Sequence, residues 1–292
     1  MRIDAHHHLW DLQAVHYPWL METGKPRFFG DPSSIQRNYL LDEFRADAER
    51  QGIGASVHIQ VGAADAMQEA KWVQSVADDN PDWPLVQVVF CDLSTEGVVR
   101  QLQAFSKMSS VRGVRQIIGR APGEDSQSGT RQLLDNSSFL EGLKATADLG
   151  LGFDLQLLPD YMEATAEVLA QVPDLKVALC HAGSPYDRSE EGLKNWTKQM
   201  ECLSALPNVY CKLSGLGMFD HDWTTQGIRP IVETCIGQFG ANRCMFGSNF
   251  PVDSLSSSYD KIVKAYEELI PSKYHLDIFK STAQGFYAFN FN

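Results

Sequence analysis

The opening stretch Met1-Arg2-Ile3-Asp4-Ala5-His6-His7-His8-Leu9-Trp10 (MRIDAHHHLW, residues 1–10) decides the fold. It reads as a β-strand whose far end carries three histidines instead of the glycine-rich phosphate loop that would follow the first strand of an open doubly wound sheet. Strand residues alternate between faces, so His6 and His8 are expected on one face and His7 on the other. At the C-terminal end of a barrel strand, two neutral imidazoles one pleat apart can hold one divalent metal ion. A tag remnant would not lie inside a strand that continues into Leu-Trp-Asp.

Seven further strand-like runs follow, near residues 55–62, 84–93, 111–119, 151–159, 176–183, 209–217 and 243–251. They are nearly continuous in apolarity, as strands covered on both faces should be. Amphipathic segments at 42–51, 65–79, 136–149, 160–171, 192–205, 225–239 and 256–270 read as helices, and a last helix is expected at about 272–288. A strand–helix alternation of this length predicts one (β/α)₈ TIM-type barrel over residues 1–292, with an additional C-terminal helix. The polar, aromatic, Pro/Gly-punctuated stretch from about 11 to 41 is then a long first β→α loop at the active-site face.

Composition excludes several classes. With 25 basic against 37 acidic residues the net charge is −12, and no Lys/Arg run offers a nucleic-acid surface. No run of about 18 apolar residues suggests a membrane span. The six cysteines form no C-x-x-C pair and read as buried, reduced thiols. The expectation is a cytoplasmic enzyme without a signal peptide, acting on a small molecule with neither nucleic acid nor membrane as partner. Homo-oligomerisation is compatible with the sequence.

Polar residues at the far ends of the apolar runs need a partner, a ligand or a wet mouth. They are Gln60, Arg115, Gln156, His181, Lys212 and Asn249. His181 reads as a third metal ligand or the group that holds a substrate carbonyl. Arg115 and Lys212 suit an oxyanion or a carboxylate. Gln60 and Gln156 read as substrate contacts, and Trp19, in Tyr17-Pro18-Trp19 with Trp10 nearby, as a platform for a ring face. His58 and Asp154, two residues before Gln60 and Gln156, read as structural.

The motifs IDAHHHLWD (3–11), VRGVRQII (111–118), LCHAGSP (180–185), CKLSGL (211–216) and MFGSNFPVD (245–253) together resemble the amidohydrolase-related family (amidohydrolase 2), in its lactonase branch of sugar-acid lactonases and pyrone-dicarboxylate hydrolases. The resemblance implies a distorted barrel with His6 and His8 at the metal position, His181 directed at metal or carbonyl, and Arg115 on the substrate. It implies at most one weakly bound divalent ion, zinc or manganese, because Gln156 stands where the superfamily usually has a histidine. The family's strand-8 aspartate, which activates water, is replaced by Asn249. An amide cannot act as a general base, although it can orient water or offer its carbonyl oxygen to a metal. Asp253, past Pro251, is one candidate substitute base if it curls back into the mouth, and His181 is another. The implied activity is hydrolysis of a lactone, with non-oxidative decarboxylation of an unsaturated or aromatic acid and ligand binding without turnover as alternatives.

Overall fold

The computed structural model describes residues 1–122 and 130–291. Eight parallel strands run in the order β1 to β8: Arg2–His7, Ile53–Ile59, Leu85–Phe90, Val111–Ile117, Gly152–Gln156, Val177–Leu179, Val209–Leu213 and Cys244–Phe246. The helices that follow them are α1 (Leu41–Ala48), α2 (Ala66–Asp79), α3 (Val98–Ser106), α4 (Ser137–Asp148), α5 (Met162–Leu169), α6 (Glu190–Ser204), α7 (Thr225–Phe239) and α8 (Tyr259–Leu269). This is the (β/α)₈ barrel the alternation predicts. Side-chain caps open several helices where the sequence offers them. Asp65 accepts from Met67 and Gln68 N–H at α2, and Asn136 accepts from Ser138 N–H at α4.

Two elements differ from the sequence reading. Helix α3 was not singled out, because it is short and is announced only by Gly97 in the left-handed region. The single helix expected at 272–288 is instead a 3₁₀ turn at Ser272–Tyr274, a π-helical turn at Asp277–Ser281 and a short helix α9 at Thr282–Phe286. Strands β6, β7 and β8 also stop several residues before their apolar runs end. The residues left over build the functional face.

The eight strands divide two cores. Ile3, Ala5, Ala55, Val57, Ile59, Val86, Val88, Ala178 and Met245 pack with Ala283, Phe286, Tyr287 and Phe289, so the C-terminal segment joins the barrel lining. The alternate strand residues pack outward among the helices, in the larger cluster containing Val114, Phe153, Leu155, Leu179, Leu213 and Phe246. No described helix is long and apolar enough to cross a membrane.

Closure falls between β1 and the chain leaving β8. His8 N–H donates to Phe250 O and Asn249 N–H to His6 O, both at 2.7 Å. Buried Asp4 reinforces this seam. Its Oδ1 accepts from the backbone N–H of His6 and of Ser248, each at 3.0 Å, and its Oδ2 accepts from Tyr259 Oη at 2.9 Å. Gly247 permits the close approach, since a Cβ there would stand 2.6 Å from His6 Cβ.

Asp4→Ala strands three buried donors and should cost at least about 3 kcal/mol of stability. Tyr259→Phe, which loses one hydrogen bond, should cost about 1 kcal/mol. Urea unfolding measures both; equal, small losses would show that the seam does not depend on Asp4.

Candidate active site

Strict alternation from Ile3 would aim His7 into the barrel. The register with β2 shows why it does not: Asp4 pairs with Ser56 and His7 with His58, so three steps on β1 oppose two on β2. This bulge reverses the phase. Ile3 and Ala5 line the barrel, His7 stacks on Phe44 of α1 at 3.9 Å between ring centroids, and His6 and His8 turn inward. The two are 5.2 Å apart by ring centroids, and His181 lies 4.5 Å from His6. The pairing read from the sequence therefore holds, but through a bulge.

The C-terminal ends of the strands surround a cavity of about 310 Å³, of a size for one small ring. His8, Gln60, Arg115, Gln156, His181, Asn249 and Trp19 all line it. Both His181 and Asn249 are held at positive φ, 54° and 57°. Asn tolerates this region better than most side chains, whereas consecutive left-handed residues at His181 and Ala182 are strained. Gly215 is required beside them, because a Cβ there would meet His181 Nδ1 at 2.3 Å.

Three expected site residues lie elsewhere. Lys212 is fully buried and paired with Asp154, outside the residues that line the cavity. Asp253 does not enter the mouth; it stands behind Asn249, whose Nδ2 donates to Asp253 Oδ1 at 2.8 Å. His6 lies behind His8 and His181. Of the aromatic loop, Trp19 and Pro18 reach the cavity, with Trp19 fixed by donation from Nε1 to Val61 O at 2.7 Å. Trp10 and Tyr17 are packed into the core. His58 is structural, accepting from Leu9 N–H at Nδ1 and facing Glu69 of α2 at 3.7 Å.

The sequence reading missed Arg27, Phe28, Phe29, Arg120 and Met218, which also line the cavity. Their only signal was membership of long loops at the barrel mouth. It also missed Ser214, whose hydroxyl is 3.1 Å from His181 Nδ1.

Electrostatics set the protonation states. Burial, with help from Arg115, pushes His8 down to about 3, and burial holds His6 and His181 well below 6.5. His8 Nδ1 lies 2.8 Å from Ile59 O, which can only accept, so Nδ1 carries the hydrogen and Nε2 a lone pair. That lone pair faces Asn249 Oδ1, another acceptor, at 3.2 Å. Two facing acceptors require a donor or a cation beside them. Both ring nitrogens of buried His6 also lack partners among the described residues. Residues His6, His8 and Asn249 thus fit one divalent ion of the zinc or manganese type. Arg115 supplies positive charge on the other side. It is buried, donates through Nη2 to Gln156 Oε1, and has no carboxylate partner among the described residues. Burial also raises Asp4 to about 6 and Asp253 to about 7.

The barrel with this strand-end histidine cluster is an amidohydrolase scaffold, and the chain belongs to the amidohydrolase family, whose model it matches over residues 3–289. It is 38% identical over 270 residues to the uncharacterized protein y4mH of Sinorhizobium fredii, covering 91% of this chain and 90% of that one. It is 27% identical over 285 residues to an L-fucono-1,5-lactonase of Burkholderia multivorans, covering 94% and 90% respectively. Among solved structures, an amidohydrolase of Burkholderia multivorans with bound HEPES superposes with a TM-score of 0.84 at 25% identity, over 99% of this chain and 100% of that one.

These protonation states make stability depend on pH. His6, His7, His8 and His181 are neutral in the fold, but each takes up a proton on unfolding below its ordinary value of 6.5. Asp4 and Asp253 act oppositely: they keep protons in the fold, up to about 6 and 7, that the unfolded chain releases above 3.8. Between roughly pH 5 and 6, four protons gained on unfolding outweigh two lost, so stability should rise with pH by ~2–3 kcal/mol per unit. Urea midpoints measured with a chelator present check the sign; a flat or falling midpoint contradicts it.

Proposed function

We propose that this amidohydrolase opens a lactone ring, that of a sugar acid or related cyclic ester, by attack of water on the ring carbonyl. The carrying observation is the pair of facing acceptors, His8 Nε2 and Asn249 Oδ1, opposite the buried Arg115 guanidinium, which has no carboxylate partner among the described residues. A water that donates one hydrogen to each acceptor satisfies both and turns its oxygen lone pair toward the cavity.

Arg115 draws the substrate's carboxylate or carbonyl oxygen to the other wall. His181 is neutral. In the tautomer with its hydrogen on Nε2, where Nδ1 accepts from the Ser214 hydroxyl 3.1 Å away, it would present that hydrogen to the oxygen on which negative charge develops. His8 Nε2 takes the proton of the attacking water. Arg115 is one cause of the depressed basicity of His8, so an anion seated on Arg115 makes His8 a better base in the complex. Asn249 Oδ1, itself oriented by Asp253, faces the imidazolium as it forms.

The ring-opened alkoxide stays tethered to the product and regains a proton from solvent. A lactone therefore asks less of the site than an amide, whose leaving nitrogen needs a strong acid. A zinc or manganese ion held by His6 and His8 would occupy the His8 Nε2 lone pair and would supply, in place of that base, the Lewis acidity that activates water or carbonyl. Trp19, Phe28 and Phe29 offer the apolar wall for a ring face.

A panel of sugar and related lactones assayed with a pH indicator, with and without chelation and added Zn²⁺ or Mn²⁺, should reveal acid release matched by the ring-opened hydroxy acid. Carbon dioxide release, or no turnover across the panel, overturns the reading. His181→Ala and Arg115→Met should each lower kcat/KM by about 10²–10³-fold. Trp19→Ala should chiefly raise KM, by about tenfold.

A further inference from the structure

Beneath the histidines lies a second group of donors that the proposed reaction does not use. A ring nitrogen of His6, a carboxylate oxygen of Asp154 and Sγ of Cys180 lie within 4.8 Å of one another, and all three residues are buried. An imidazole from β1, a carboxylate from β5 and a thiol just after β6, which a metal would deprotonate, form a donor set suited to a zinc-like ion. One member has no bond to make: His6 is fully buried and, among the described residues, neither ring nitrogen has a hydrogen-bond partner.

A cation is nevertheless already present. The ammonium of Lys212 is fully buried and ion-paired to Asp154 Oδ2. Tyr287 Oη donates to the same carboxylate, at 2.9 and 3.1 Å, and the Tyr287 ring lies under the ammonium with its centroid 5.1 Å from Nζ. Lysine is almost never fully buried without such partners. The charge also reaches the donors around it, since Lys212 is among the causes that lower His6 and oppose the rise of the Cys180 thiol. In this low-dielectric interior an ammonium and a divalent ion repel too strongly to share one carboxylate.

We propose that the Lys212 ammonium is the resident cation of a second, deeper position formed by His6, Asp154 and Cys180, so that the barrel fills with its own side chain a place that would otherwise take a divalent metal. Only the outer position at His6 and His8 is then open to an exchangeable ion. The charge beneath the substrate pocket belongs to the chain and cannot be removed by a chelator. The inference holds whatever ester or acid the outer site takes.

Cobalt(II) tests it on the full-length protein, because a thiolate ligand gives cobalt a charge-transfer absorption that nitrogen and oxygen ligands do not. Lys212→Met should bind cobalt through the deeper donors, His6 included, and show that absorption. Adding Cys180→Ser should abolish it, and the unmodified protein should lack it. Lys212→Gln, which can still donate a hydrogen bond to Asp154, is read in parallel. Because either change leaves a buried carboxylate without its cation, refolding yield and melting temperature are measured with and without cobalt. Metal-dependent recovery supports the proposal. It is overturned by folded variants that show no such absorption with cobalt, by unfolded variants that cobalt does not restore, or by a Cys180-dependent absorption in the unmodified protein.

Discussion

The Asp4 carboxylate carries the junction on which the barrel and its site both depend. A parallel barrel must close its first strand against its last, yet β8 ends at Phe246 and the residues facing His6 and His8 already belong to the chain leaving it. Asp4 offers acceptors to both sides of the gap and to Tyr259 of α8. The same junction hands Asn249 to His8. Closure and the placement of the His8–Asn249 pair are therefore one structural event, and the bulge in β1 lets a strand that lines the barrel with Ile3 and Ala5 also present His6 and His8.

The interior is built in layers of different polarity. Aliphatic residues and the C-terminal aromatics fill the lower barrel. Above them the Lys212–Asp154 pair, capped by Tyr287, forms a neutralised charged floor. The neutral histidines come next, then the cavity with Arg115 on its polar wall. Burial keeps the imidazoles uncharged, and the cations of Arg115 and Lys212 reinforce that state. A chain with a net charge of −12 thus keeps a cationic centre where an anion or a developing oxyanion would sit.

The functional face also stores backbone strain. His181, Ala182, Ser184 and Asn249 are all in the left-handed region, at the points where β6 and β8 turn out of the sheet. The surrounding packing holds them there: Trp196 Nε1 donates to Ala182 O, and Asn249 is gripped by His6 O through its backbone and by Asp253 through its side chain. Such positions fix side-chain direction more tightly than a flexible loop could, as a site without a strong general base requires.

By itself the sequence determined the barrel, because eight apolar runs alternating with amphipathic segments leave a parallel, doubly covered sheet little other way to close. It also determined which strand ends carry chemistry, because a polar residue ending an apolar strand must find a partner or water. Gln60, Arg115, Gln156, His181 and Asn249 were legible for that reason, and all five line the cavity. Lys212 and Asp154 obey the same rule, but their partner proved to be each other, a pairing of residues 58 positions apart that no local pattern encodes. Asp253 was read as a base in the mouth and is a support behind Asn249, because a short 3₁₀ turn after Pro251 directs it away from the cavity. Only the tertiary structure decided these roles. Strand periodicity tells a side chain's face, whereas register, bulges and the closing seam determine which charges meet, and the energy of a buried charge depends almost entirely on what it meets.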